Sequence, residues 1–261
     1  MKKHLIVLFV YNNVEHIKTC FESLYLDEVD YFIVENKSHN SKEIEEYFKD
    51  KRLVGHICFE ENISATAVNI FIKDYFETMR EYEYVSISDG DIYVSDAKAT
   101  YKEIIDNLDR EPSTFVSSVD LWLGNHYENE SKVSGTNHLD WYMQHTTNVD
   151  GYKLGATACH LLTVKNQRLD IFQDIHFIDT ILYNKVVNMG GRLVSTLRNL
   201  AYHLTWDLYV EGNEYYEFKK ANYPAIWDEK EPCDYQILVP KGFKKVNEGL
   251  LGKVFKWKLN G

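Results

Sequence analysis

The chain has 261 residues, 44% of them hydrophobic and 26% charged, the composition of a folded globular protein rather than a disordered one. Its 29 Lys and Arg against 40 Asp and Glu leave a net charge of −11, which argues against broad nucleic-acid binding through a basic face. No apolar run reaches the roughly 18–20 residues of a membrane span. The four cysteines, Cys20, Cys58, Cys159 and Cys233, are too scattered for a zinc site or a disulfide framework and read as reduced thiols of a cytoplasmic protein.

Met1-Lys2-Lys3-His4 opens like a signal peptide, but the apolar run Leu5–Val10 is short, has no small-residue cleavage site and stops at Tyr11-Asn12-Asn13. It reads as a central parallel strand buried on both faces. Val14, Ile17, Phe21 and Leu24 then recur at helical spacing. A second strand, Tyr31–Val34, ends in Glu35-Asn36-Lys37-Ser38 and leads to a helix through Ile44, Tyr47 and Phe48. Leu53–Phe59 reads as a third strand, and Asn62–Arg80 as a helix with Ala67, Phe71, Tyr75 and Met79 along one side. This alternation predicts a mostly parallel α/β sheet with helices on both faces and with strand ends gathered at one edge.

The fourth strand, Tyr84–Ser88, stops at Asp89-Gly90-Asp91. Glycine allows a sharp turn, and two carboxylates leave the strand side by side, where ligands bind in open α/β sheets. Such a pair repels unless a cation lies between its members, and hard oxygen ligands suit Mn²⁺ or Mg²⁺. The plainer reading is a solvated Asp-Gly turn.

Beyond it, Ala97–Leu108 reads as a helix and Ser113–Leu123 as a strand. The polar, aromatic-interrupted segment Gly124–Tyr152 reads as a functional loop. Leu154–Leu162 looks like a turn entering a strand, and Asp174–Asn188 like a helix stopped by Gly190-Gly191. Arg192–Ser195 and Leu200–Leu204 are two short strand candidates. With only 4 Pro and no linker, the chain reads as one domain of two abutting halves, 1–96 and 97–215, followed by an extension at 216–261.

Several pieces fall in one order: Phe9-Val10-Tyr11-Asn12, Val34-Glu35-Asn36-Lys37-Ser38, Asn62-Ile63-Ser64 before Ala67-Val68-Asn69, Asp89-Gly90-Asp91, and Ile178-Asp179 ahead of Gly190-Gly191-Arg192, with His203 beyond. In this order they resemble the GT-A-fold glycosyltransferases, specifically family 2. The departures are Phe9 for Pro, Glu35 for Asp, Val68 for Arg and Ile178 for Glu. The resemblance implies a Rossmann-like GT-A fold and a metal-dependent transfer of sugar from a nucleotide-sugar donor, most simply a UDP-sugar. The acceptor it implies is a saccharide or lipid-linked saccharide of a bacterial surface glycan.

The resemblance assigns Asp91 and His203 to the metal, and Asp89 to a metal-bound water or the ribose. It assigns Val10, Tyr11, Asn12, Glu35, Asn36, Asn69, Asp89, Gly90 and Gly155 to the donor. Inversion needs one carboxylate to take the acceptor hydroxyl's proton; Asp179 is the first choice and Asp174 the second. Either could instead cap or start a helix. Trp122, Trp141 and Trp206 could stack on acceptor sugars or pack in the core.

The tail Lys241–Gly261 interleaves lysines with Phe243, Phe255 and Trp257. It reads either as a packed segment with solvated Lys heads or as a peripheral contact with the inner face of a membrane. Two rival functions remain. A sugar-phosphate nucleotidyltransferase would need a Gly-rich basic first loop, which Tyr11-Asn12-Asn13-Val14-Glu15 is not. A catalytically degenerate relative would bind glycan or a partner without turnover.

Overall fold

The structure, a computed structural model, describes residues 2–122, 146–149, 152–155, 160–173, 179–222, 230–238, 243–248 and 255–259. The parallel half of its main sheet is built from β1 (Lys2–Val10), β2 (Asp30–Glu35), β3 (Gly55–Phe59) and β4 (Tyr82–Asp89), in the order β3-β2-β1-β4. All three pairings in this half are parallel. The register sets Val10 beside Glu35 and Phe9 beside Asp89, so three strand ends meet along one edge.

Both faces of β1 are apolar because both are covered. Leu5 and Val7 point into a core shared with α3 (Thr66–Met79) and α5 (Asp179–Asn188). Ile6, Leu8 and Val10 point into the opposite core, shared with α1 (Val14–Leu24), α2 (Ser41–Phe48) and α4 (Ala97–Arg110). Each fully buried Leu, Ile or Phe in such a core contributes about 1.5–3 kcal/mol. Asn13 caps α1 by accepting the His16 N–H at 3.3 Å, and Asp96 caps α4 by accepting that of Ala99 at 2.9 Å. Helix α3 begins later than its apolar spacing suggests. Asn62 accepts the Ser64 N–H, and Ser64 takes a left-handed φ of 52°, which makes a turn before the first helical residue.

The second half of the sheet is mixed. Strand β9 (Leu162–Lys165) enters antiparallel between β4 and β6 (Thr114–Leu121). The described end of the long polar segment is a hairpin, β7 (Thr146–Val149) against β8 (Tyr152–Gly155). The two short strand candidates after α5 form one strand, β10 (Arg192–His203), with an irregularity between Ser195 and Leu200. Its first part lies beside β6 and β8, and its last residues pair antiparallel with the short β5 (Ile92–Val94). Near the C-terminal end, β11 (Tyr235–Ile237) covers the open edge of β3. The described part of the lysine-rich tail is a separate hairpin, β12 (Phe243–Glu248) with β13 (Phe255–Leu259). Among the described residues no helix is long and apolar enough to cross a membrane. Cys20, Cys58 and Cys233 are free thiols, and Cys159 lies outside the described residues.

A polar ladder crosses the interior. His4 Nε2 lies 2.7 Å from Ser86 Oγ, and Ser86 Oγ lies 2.7 Å from Thr163 Oγ1. Thr163 in turn donates to the Leu161 carbonyl at 2.8 Å. It fixes β9 against β4, because buried polar groups must be paired. Burial, with help from Lys3, holds the His4 imidazole down at about 3. A depressed histidine stabilises the fold fully above its unfolded value of roughly 6.5. That contribution is lost as pH falls toward the folded value, because the unfolded chain binds the proton first. We therefore expect His4→Gln to flatten the acid limb of the stability curve between roughly pH 6 and 4, by about 1.4 kcal/mol per pH unit. Urea denaturation across that range measures it; an unchanged limb contradicts the assignment.

Candidate metal centre

The strand β4 delivers Asp89 to the edge, and the chain must then turn at once. Gly90 donates to the Phe9 carbonyl at 2.8 Å, and a Cβ built there would lie 2.6 Å from Val10 Cγ1. Only glycine allows the two backbones to lie this close. The turn places Asp91 at the start of β5, and the β5–β10 pairing sets His203 opposite Ile92. Asp91 Oδ2 is 3.4 Å from His203 Nε2, the Asp91 carbonyl accepts the Leu204 N–H at 2.8 Å, and the Thr205 hydroxyl donates to Asp91 Oδ2.

The irregularity in β10 makes this contact. Ser195 pairs with Ser118 but Leu200 pairs with Asp120, so β10 carries extra residues at this point. Irregularities of this kind re-aim the side chains that follow. The Glu103 carboxylate on α4 holds it by accepting from the backbone N–H groups of Leu197, Arg198 and Asn199 at 2.7, 3.1 and 3.0 Å, and from Asn199 Nδ2 at 2.6 Å. Thr196 adds a bond from its hydroxyl to the Asn199 carbonyl at 2.6 Å.

The sequence reading missed a further residue. His160 is only 4% exposed, its ring lies 4.9 Å from that of His203, and one of its ring nitrogens lies within 4.8 Å of carboxylate oxygens of Asp89 and Asp91. Nothing in the local sequence separates it from a core histidine ahead of an apolar strand. The signal is the backbone: Leu161, fully buried, has a φ of 47°. A bulky residue held there is strained, and such strain collects at functional sites.

Burial pushes the Asp91 carboxyl up, but the His203 and His160 imidazoles and the Thr205 hydroxyl outweigh it and hold the group below the usual carboxylate range. Burial, with His203 adding and Asp91 opposing, holds His160 down at about 3, so its ring is neutral. Asp91 Oδ1 and His160 Nδ1 are buried without a hydrogen-bond partner. Two carboxylates and two imidazoles, with orphaned buried atoms on Asp91 and His160, are a donor set that fits a dication. Asp89, Asp91 and His203 would hold it, and His160 brings a ring nitrogen within 4.8 Å of both carboxylates.

The other expected site residues are distributed as follows. Tyr11 is 41% exposed at the end of β1. Asn12, at a φ of 58°, receives the His39 N–H on its Oδ1 and donates its own N–H to Ser38 Oγ. Val10 is buried, and its carbonyl accepts the Asn36 N–H. The Asn36 side chain ties the end of β2 to Ile63 and Ser64, at 2.9 and 3.0 Å. Glu35 sits at the strand end but is fully buried, its Oε2 3.7 Å from His56 Nε2. It lies in the interior, on the face of β2 that carries Ile33. Asn69 lies in α3 with a buried, unpartnered Oδ1. Trp122 is 56% exposed, its ring 6.2 Å from that of Tyr202. Asp179 opens α5 and Gly155 ends β8. Asp174 and Trp141 lie outside the described residues, as does the side chain of Trp206.

Compared with solved structures, the chain is similar to the mannosyltransferase PcManGT from Pyrobaculum calidifontis. The TM-score is 0.56 at 15% identity, over 88% of this chain and 66% of that one. The chain has a GT-A glycosyltransferase-like fold. Among curated proteins it is 28% identical over 250 residues to protein L138 of Acanthamoeba polyphaga mimivirus, and 25% identical over 244 residues to protein L142 of the same virus. Each match takes in 88% of this chain but only 27% and 49% of those proteins, so the chain spans at most about half the length of these relatives. No family model matches the sequence.

The GT-A-like fold thus carries its acidic turn beside two imidazoles, and Thr205 is the hydroxyl that orients the acid. Partners of this kind typically change metal affinity about 10–100-fold when removed. We expect Thr205→Val to weaken Mn²⁺ binding by about tenfold or more, read by calorimetry, with α-helical content unchanged. Equal affinity would show that the hydroxyl has no orienting role.

Proposed function

We propose that this protein is a metal-dependent glycosyltransferase that moves a sugar from a nucleotide-sugar donor, most simply a UDP-sugar, to a saccharide acceptor with inversion. The observation that carries the proposal is the Asp91–His203 contact, in which groups from two distant parts of a GT-A-like chain meet at the strand edge where the fold binds ligands. The solved mannosyltransferase of similar fold is a complex with GDP-Man and Mn²⁺, which lends the reading support. The curated relatives are viral, so the acceptor is proposed as a saccharide without a cell surface attached.

In this reading Tyr11 offers its exposed ring to the nucleobase, and Asn12 and Asn69 offer amides to the polar parts of the nucleoside. Asp89, Asp91 and His203 would hold the cation, which would supply neutralisation of the charge gathering on the leaving diphosphate. Trp122 supplies a flat apolar face for an acceptor sugar ring. Asp179 takes the proton from the acceptor hydroxyl as that oxygen bonds to the anomeric carbon and the bond to the diphosphate oxygen breaks.

A ligand that binds only the folded state raises its melting temperature. A thermal-shift series of nucleoside diphosphates, with and without Mn²⁺, is therefore the direct test. The largest shift is expected with uridine diphosphate and Mn²⁺, and Asp91→Ala is expected to abolish its metal-dependent part. A larger shift with guanosine diphosphate would replace uridine in the donor. No shift with any nucleotide would remove the transferase reading. Asp179→Asn is expected to keep the nucleotide shift while turnover falls about 10²–10⁴-fold. Unchanged turnover would move the base elsewhere.

A further inference from the structure

We propose that His160 is a second imidazole ligand of this centre, and that the resulting nitrogen-and-oxygen donor set selects a transition-metal dication over Mg²⁺. The inference rests on the metal-binding part of the proposed function and adds to it both a ligand and a choice of ion. Three observations carry it. His160 shares one cluster with the two carboxylates, its ligand atom and those of Asp89 and Asp91 all within 4.8 Å of one another. It is almost wholly buried, yet Nδ1 has no hydrogen-bond partner, and the same holds for Asp91 Oδ1 beside it.

The third observation is how the residue is held. The His4–Ser86–Thr163 ladder ends on the Leu161 carbonyl, and Leu161 is the buried residue at positive φ next to His160. A non-glycine residue persists in that conformation only where its surroundings over-determine it. The interior hydrogen bonds thus fix the turn that presents the ring. The four side chains come from separate segments of the chain: the turn after β4, the approach to β9 and the end of β10.

The choice of ion follows from the donors. Mg²⁺ takes oxygen ligands in near-ideal octahedral geometry and sheds its waters reluctantly. Imidazole suits first-row transition metals, whose affinity rises from Mn²⁺ through Co²⁺ to Ni²⁺. One imidazole among several oxygens is a modest bias, and two turn the site toward nitrogen-accepting ions.

The test uses the whole chain with metal alone, so that it does not depend on turnover. Mn²⁺, Co²⁺ and Mg²⁺ are titrated separately, followed by calorimetry and, for Co²⁺, by visible absorption. Wild type is expected to bind Co²⁺ at least about tenfold more tightly than Mg²⁺. His160→Gln is expected to weaken Co²⁺ by at least about tenfold and to change its absorption band, with metal-free melting near wild type. Equal affinities for Co²⁺ and Mg²⁺, or a folded His160→Gln with wild-type affinity and spectrum, overturn the inference while leaving the transferase reading in place. If wild type takes none of the three ions, the inference falls together with the metal-binding part of the proposed function, and nucleotide binding without metal would preserve the donor part. Electron spin-echo modulation of Mn²⁺ bound to wild type counts coordinated imidazole nitrogens without any substitution. Two are expected, and one would overturn the inference even if the variant fails to fold.

Discussion

The Asp91–His203 contact ties the turn after β4 to the end of β10. It is backed by the Leu204 N–H on the Asp91 carbonyl and by the Thr205 hydroxyl on its carboxylate. Three interactions therefore converge on one residue from a segment more than a hundred positions away. Closing so long a loop costs conformational entropy, though the cost grows only slowly with length. The β5–β10 pairing and the buried Ile92, Val94 and Ala201 offset it. The centre is thus a product of the sheet's tertiary pairing, and neither segment would form it alone.

Charge gives the same edge its chemical character. A chain of net charge −11 repels an anionic nucleotide at long range. An acidic turn would add to that repulsion, and a cation held by Asp89 and Asp91 reverses the local sign. A neutral imidazole beside it adds a donor without adding repulsion toward the ion. Burial keeps His160 in that neutral form.

The parts of this arrangement that were readable in the sequence are those set by local pattern. The continuous apolar run Leu5–Val10, the helical spacing from Val14 to Leu24 and the strand stopping at Asp89-Gly90-Asp91 each carry their own periodicity or punctuation, and all three appear as expected. What could not be read depends on pairing at a distance. Strand β9 has four residues, too few to show a period, and its insertion between β4 and β6 brings His160 to the site. Strand β10 looked like two strands because its irregularity interrupts the alternation, and Glu103, which stabilises that irregularity, sits on a helix nearly a hundred residues earlier. Glu35 was legible as a strand end, but the burial of its carboxylate beside His56 depends on the pleat and on tertiary pairing.

The four-residue excursion Thr196–Asn199 acts as a ruler. Side chains on a strand alternate between faces, so a change of one residue in its length inverts every side chain beyond it. Tyr202 would then take the place of His203, and a phenol would stand where the imidazole now meets Asp91. A two-residue change would restore the face but slide Ala201 or Thr205 into that place, so the length of this segment is fixed if the imidazole is to stay against Asp91.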